Sequence, residues 1–152
     1  MIESNDRVWG NTQRVSSWKL DPSVTALDDG QWMTLNSSGN LVVADGTSTK
    51  AYITISSRRQ GSTGLPNNMG APIQESPARD TVSVSGKAIV LIGAFKLATD
   101  MYDTTKTYLY NDPLTVVAGG LLAPATVATE IIVAHVSKVP TSSADTIGIV
   151  HE

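Results

Sequence analysis

No cysteine occurs among the 152 residues. That excludes disulfides, thiolate metal ligands and a cysteine nucleophile, and it leaves the redox compartment unread. Charge is also scarce, at 16% against roughly 25% in an ordinary domain. Hydrophobic residues nevertheless reach 41%, so Ser, Thr, Asn and Gly fill the difference. A disordered chain would carry more charge or fewer aliphatics, and a coiled coil would need Glu, Lys, Ala and Leu in heptads. A net charge of -3 argues against a chain that grips nucleic acid through its phosphates. Long hydrophobic runs are missing too. Ala88–Ile92 and Ile131–Ala134 fall far short of the roughly 20 residues that span a bilayer, and Met1–Arg7 shows no basic stretch leading into an apolar one. The expectation is a soluble protein with no membrane or nucleic-acid partner.

What is present reads as one domain with two appendages. Residues 1–29 are polar, lack any sustained apolar period and carry Trp9 and Trp18. They are expected to form an extended N-terminal arm. Each tryptophan can bury about 150 to 250 Å², so the arm either lies across its own domain or docks on a neighbour. From residue 30 the pattern becomes that of a β domain ending at residue 152. Trp32–Leu35 and Leu41–Ala44 flank five turn-forming residues and predict a hairpin. Lys50–Ser56 alternates, with Ile53 and Ile55 on one face and Tyr52, Thr54 and Ser56 on a face expected to be wet. Thr81–Ser85 alternates likewise, and Ala88–Ile92 is apolar on both faces, as in a doubly covered strand.

Leu91, Ala94, Phe95 and Ala98 also fit helical spacing. Gly93 would cost such a helix about 1 kcal/mol, and the β-branched residues before it favour two strands bent or bulged there. Tyr108–Tyr110, Leu114–Val117, Leu121–Leu122, Ile131–Val136 and Thr146–Val150 complete the series, punctuated by Asn111-Asp112-Pro113, Gly119-Gly120 and Pro140–Ser143. Short strands at regular spacing indicate an all-β fold, either a small barrel or tulip or a sandwich of antiparallel strands. Residues 57–80 break the rhythm with Pro66, Pro72, Pro77, Gly61, Gly64 and Gly70. A loop of that length in a compact domain is usually a binding loop, a lid or an insertion.

Catalytic chemistry finds little to work with. There is no Gly-x-Ser-x-Gly, and the two histidines are His135, on a predicted buried strand in phase with Ile131 and Val133, and His151, next to the last residue. Two distant histidines without cysteine do not make a zinc site. Gly61–Gly64 lacks the Gly-Lys-Ser/Thr ending of a phosphate loop. Asp100 with Asp103, and Asp28 and Asp29 with Asp45, are carboxylate pairs in principle. Beside glycines and in turns, aspartate more often bonds its own backbone. The residues therefore predict no catalytic set, no metal site and no cofactor. Tyr108, Tyr110 and Trp32 could form a stacking platform for a glycan or small ligand. Arg58-Arg59, nearly alone in an acidic chain, is suited to carboxylates on a partner surface. Low charge, abundant hydroxyls, the arm and the long loop together fit a protein that adheres to copies of itself or to a lattice.

A family resemblance bears on that choice. Asp112-Pro113-Leu114-Thr115-Val116, Gly119–Leu122, Ile132–Val136 and Ile147-Gly148-Ile149-Val150 resemble the C-terminal half of tailed-bacteriophage capsid decoration, or cement, proteins. The hairpin around Gly39 and the Ala44-Asp45-Gly46 turn are similar in style to the first half. The resemblance covers residues 25–152 and leaves the arm and the 57–80 loop unmatched. It implies a β module on the outer surface of an icosahedral virion, bridging major capsid protein subunits as a homo-oligomer, with a trimer favoured over a dimer. On composition, Trp9, Arg14 and Trp18 of the arm, with Arg58 and Arg59 of the loop, are the expected capsid and intersubunit contacts. The alternative is a tail or neck protein, or a glycan-binding head-fibre module of the same particle.

Overall fold

The computed structural model describes the backbone of residues 2–3, 13–15, 18–55 and 88–152. The predicted strand Thr81–Ser85 and the 57–80 loop, with Arg58 and Arg59, lie outside the described residues, as does Trp9. Two antiparallel sheets account for nearly all the regular structure, and the only helical element among the described residues is a single 3₁₀ turn, Ala118–Gly120. One sheet has six strands in the order β1 (Ile2–Glu3), β7 (Phe95–Thr99), β11 (Ile147–His151), β10 (Ala134–Lys138), β8 (Pro113–Val117) and β9 (Leu121–Pro124). The other has five, in the order β2 (Gln13–Val15), β6 (Ile89–Ile92), β5 (Tyr52–Ile55), β3 (Trp32–Leu35) and β4 (Leu41–Val43). Neither sheet closes on itself, so the fold is a sandwich and the barrel or tulip alternative is set aside.

The hairpin forms as its residues dictate. Leu35 pairs with Leu41, and the Asn36 side-chain oxygen accepts from the Ser38 and Asn40 amides at 3.0 Å each. Gly39, at φ +76°, supplies the left-handed residue that closes the loop. Gly93 does more than bend a strand. At φ +90° it turns the chain out of β6 in the five-stranded sheet and into β7 in the six-stranded one, and no helix forms there.

Two apolar clusters explain the burial. The larger lies between the sheets, where Leu114, Leu122, Ile147 and Ile149 of one meet Trp32 and Ile53 of the other, all at most 1% exposed. Full burial of each such side chain contributes on the order of 1.5–3 kcal/mol. The smaller cluster covers the outer face of the five-stranded sheet: Leu20 and Val24 pack with Met33, Leu41, Ala88 and Val90, flanked by Trp18, Leu27 and Tyr52. Strand β6 is thus covered on both faces, as its composition implies, with Leu91 against the inner cluster and Val90 in the outer one.

Three expectations need correction. The second face of β5 is dry: Thr54 is wholly buried, its Oγ1 lying 2.9 and 3.1 Å from the Gln31 and Asp28 carbonyls. The reason is the segment 18–31, which lies across that face. Tyr108–Tyr110 forms no strand; Leu109–Asp112 is a tight turn closed by the Asp112 amide on the Leu109 carbonyl at 3.2 Å. The strand read as Ile131–Val136 starts instead at Ala134 and reaches Lys138. Its onset is delayed by a turn in which the Glu130 carboxylate takes the Thr126 and Val127 amides, leaving Ile131 and Ile132 at 37% and 43% exposure.

Glycine is demanded where the sheets meet. A Cβ on Gly120, at φ +70°, would sit 2.5 Å from the Trp32 carbonyl oxygen and 3.1 Å from its amide nitrogen, whereas one on Gly39 would meet nothing within 4 Å. Gly120→Ala therefore combines left-handed strain with backbone overpacking, a cost of roughly 2–5 kcal/mol, or a melting temperature lower by about 5–15 °C. Gly39→Ala carries only the conformational cost of about 1–2 kcal/mol. Equal melting temperatures for the two variants in a calorimeter would refute this placement of the junction.

Candidate interaction site

Where β6 hands over to β7, the sandwich opens into a cleft of about 200 Å³. Trp32, Ile53, Phe95 and Val133, all members of the inner core, form its floor, and Ile131 and Ile132 stand at its lip. Among the described residues its lining includes the basic side chains Lys50 and His151 and no carboxylate. An aromatic series runs from core to rim: the Trp32 and Phe95 rings are 6.4 Å apart, and the His151 ring lies 4.9 Å from Phe95. His151 Nδ1 is 2.6 Å from the Val133 carbonyl oxygen. A carbonyl only accepts, so Nδ1 is the donor in this bond and Nε2 is turned away from it.

Trp32 Nε1 is buried without a partner. Such an orphan costs about 1–3 kcal/mol, which the 150–250 Å² of ring surface it brings into the core outweighs at about 25 cal/mol per Å². Small-molecule sites generally span roughly 300–1,000 Å³. This cleft is smaller, suited to one side chain.

The anticipated stacking platform is not assembled. Trp32 and Tyr108 are buried, and only Tyr110, at 71% exposure, stands in solvent. Tyr108 is a pillar: its hydroxyl donates to the Asp103 carbonyl at 2.8 Å, with the Leu122 carbonyl at 3.2 Å, and its ring meets Tyr102 edge-on at 5.5 Å. Above it the Leu109–Asp112 turn is closed on every side. The Leu109 amide donates to Asp112 Oδ2 at 2.7 Å, Asn111 takes φ +66° at the position where a type II turn needs it, and the Asn111 amide reaches the Val136 carbonyl at 2.8 Å. Leu109 and Tyr110, 66% and 71% exposed, are thereby displayed on a rigid support.

Of the residues singled out in the sequence, Trp18 rests on its own chain, half-buried with its ring edge-on to Tyr52 at 4.9 Å. The backbone of Arg14 pairs with Leu91 in β2–β6. Trp9, Arg58 and Arg59 are not described, so these five are not brought together on the described surface. His135 is half-buried, on the face of β10 opposite the buried Ala134 and Val136. No cluster of three His, Cys, Asp or Glu occurs among the described residues. Asp45 and Asp103 serve turns: each accepts from the hydroxyl and amide of the threonine two residues on, and the hydroxyl bond leads in holding their pKa below the ordinary carboxylate value. His151 was legible only as a penultimate residue, since its role depends on Phe95, its pairing partner in β7, and on the carbonyl of Val133, just ahead of β10.

Burial is the main cause pushing the Tyr108 phenol above its ordinary pKa of 10.0, with the Asp103 charge second. The Tyr102 phenol is raised as well, again chiefly by burial. Above about pH 10 the unfolded phenol ionises while the folded one resists, so stability present at neutral pH is lost as pH rises. Tyr108→Phe is expected to cost about 1 kcal/mol at pH 7 and to flatten the alkaline decline in urea unfolding midpoints between pH 9 and 11. An unchanged decline would show that Tyr108 does not supply it.

Comparison with family models, with curated proteins and with solved structures gives no match for this chain.

Proposed function

We propose that this chain is a structural virion protein that decorates the outer surface of an icosahedral phage capsid, bridging major capsid protein subunits as a homo-oligomer and reinforcing the shell. The observation that carries the reading is the use made of the N-terminal segment. Strand β1 pairs with β7 at Ala98 and Thr99, β2 pairs with β6 at Val90, Leu91 and Ile92, and Lys19–Asp21 bonds to Leu41 at the edge of β4. An extended segment that binds sheet edges through its backbone can engage a neighbour's edge in the same mode, because strand addition asks little of side chains. The family resemblance of the domain points the same way.

In this reading Trp9 and Arg14 of the arm, with Arg58 and Arg59, make the contacts to capsid and neighbouring copies, while Trp18, packed on Tyr52, anchors the arm to its own domain. Arg suits carboxylates there through its bidentate geometry. The glycan-binding alternative loses its main support, since two of the three rings it needs are buried.

Removing residues 1–17 tests the proposal while sparing Trp18 and Leu20, which pack in the outer cluster. The truncated protein loses the covers that β1 and β2 give to β7 and β6, so it is compared at a temperature where circular dichroism shows it folded, and there it is expected to load onto expanded capsids with affinity lower by about tenfold or more, roughly 1.4 kcal/mol. Undiminished occupancy, counted by electron microscopy, would sink the proposal.

A further inference from the structure

The apolar turn and the apolar cleft both lie along one strand. Strand β10 starts beside the cleft, after Val133, and by Val136 it is bonded to the turn, through the Asn111 amide and the Asp112 carbonyl. Strand β11 runs the other way beside it and ends at the cleft with His151. A rigid knob, Leu109 and Tyr110, and a socket with Ile131 and Ile132 at its lip thus lie along the same strand as two separate patches.

The two are complementary in size, polarity and charge. The cleft holds a side chain where it would be too small for most ligands, and the knob offers two large apolar side chains already ordered by their turn. Residues 107–113 contain Asp112 and no cation, whereas Lys50 is the charged side chain of the socket's described lining. The Tyr110 hydroxyl, which can donate or accept, can bond His151 at Nε2.

We infer that the occupant of the socket is the Leu109–Tyr110 knob of a second copy of this chain, so that copies associate head to tail. Knob and socket are different patches, which makes the contact heterologous. Such contacts generate a closed ring where the rotation closes and an open filament where it does not. The ring is the homo-oligomer of the proposed function, and the inference rests on that reading to this extent. Tyr110 is the anchor, as a rigid aromatic with one polar end is the usual centre of such contacts. Ile131 and Ile132 seal its rim.

The test is complementation, read as mass by sedimentation velocity. Wild-type protein is expected to sediment as a multiple of the 16.0 kDa chain. Tyr110→Asp spoils the knob and Ile132→Asp the socket; both positions are exposed, so melting temperatures should stay within about 2 °C of wild type. Each variant alone is expected to be monomeric. Their equimolar mixture retains one intact knob and one intact socket, and is expected to give a species of two chains and nothing larger. A monomeric wild type, variants that keep the wild-type mass, or a mixture that stays monomeric would each overturn the inference. Capsid loading is scored separately. An assembled wild type that fails to load overturns the cement reading alone, and a monomeric wild type that loads overturns the head-to-tail contact alone.

Discussion

The close approach of Gly120 to the backbone at Trp32 is the constraint on which the two-sheet arrangement rests. The Gly120 amide donates to the Ala44 carbonyl at 3.1 Å, the Ala44 amide to the Trp32 carbonyl at 3.0 Å, and Gln31 Nε2 to the Gly119 carbonyl at 3.0 Å. These bonds tie the β8–β9 turn of the six-stranded sheet to the β3–β4 side of the five-stranded one. On the other side the chain itself is the tie, crossing from β6 to β7 through Gly93. The sandwich is therefore laced along both sides, each time at a glycine with positive φ. Apart from the Gln31 side-chain bond both ties are formed by main chain, so they fix the spacing of the sheets more tightly than side-chain packing alone, which tolerates repacking at constant volume.

Lacing the sides leaves the sheet edges to be managed. Exposed edges invite pairing with other chains, and many proteins blunt them with charge, especially lysine. This chain has little charge and covers its edges with itself. Strand β1 lies on β7, β2 on β6, and Lys19–Asp21 on β4, where the Leu41 amide and carbonyl bond Lys19 and Asp21 at 2.8 and 2.9 Å. The fourth edge, β9, is met by Met101–Asp103, whose backbone bonds Leu122 at 2.8 and 3.1 Å. Three of these four covers come from residues 2–21. The arm is thus a working part of the sandwich.

Local chemistry made part of this legible. The Trp32–Val43 hairpin followed from Asn36, Gly39 and the flanking apolar residues, because turn chemistry acts within five residues. The break at Gly93 was visible for the same reason, although which sheet each half joins is a tertiary matter. Thr54 was misassigned because its face is dried by residues 18–31, far away in sequence, and nothing in β5 itself records that cover. Tyr108 and Tyr110 look alike in sequence, yet one is a buried pillar and the other the most exposed large apolar side chain among the described residues. A turn separates them, and strand alternation does not describe it. The cleft was invisible in sequence, since Trp32, Phe95, Val133 and His151 come from four separate strands or strand ends.

The polar, weakly charged composition also takes on a narrower meaning. Many of the hydroxyls and amides that fill the place of charge are consumed locally: Asp21 with Ser23, Asp45 with Thr47, Asp103 with Thr105 and Asn36 with Asn40 each close a turn. These bonds are intrinsic to their loops and freeze them before any partner arrives. Association costs free energy for every side chain and loop it must order, and a surface of pre-closed turns carries little of that cost. Large apolar side chains set on such turns, as Leu109 and Tyr110 are, keep most of the free energy of their burial for the contact itself. The scarcity of charge removes desolvation penalties at the same surface. Both properties favour lateral adhesion, and both arise from residues whose first task is to hold the sandwich's own loops.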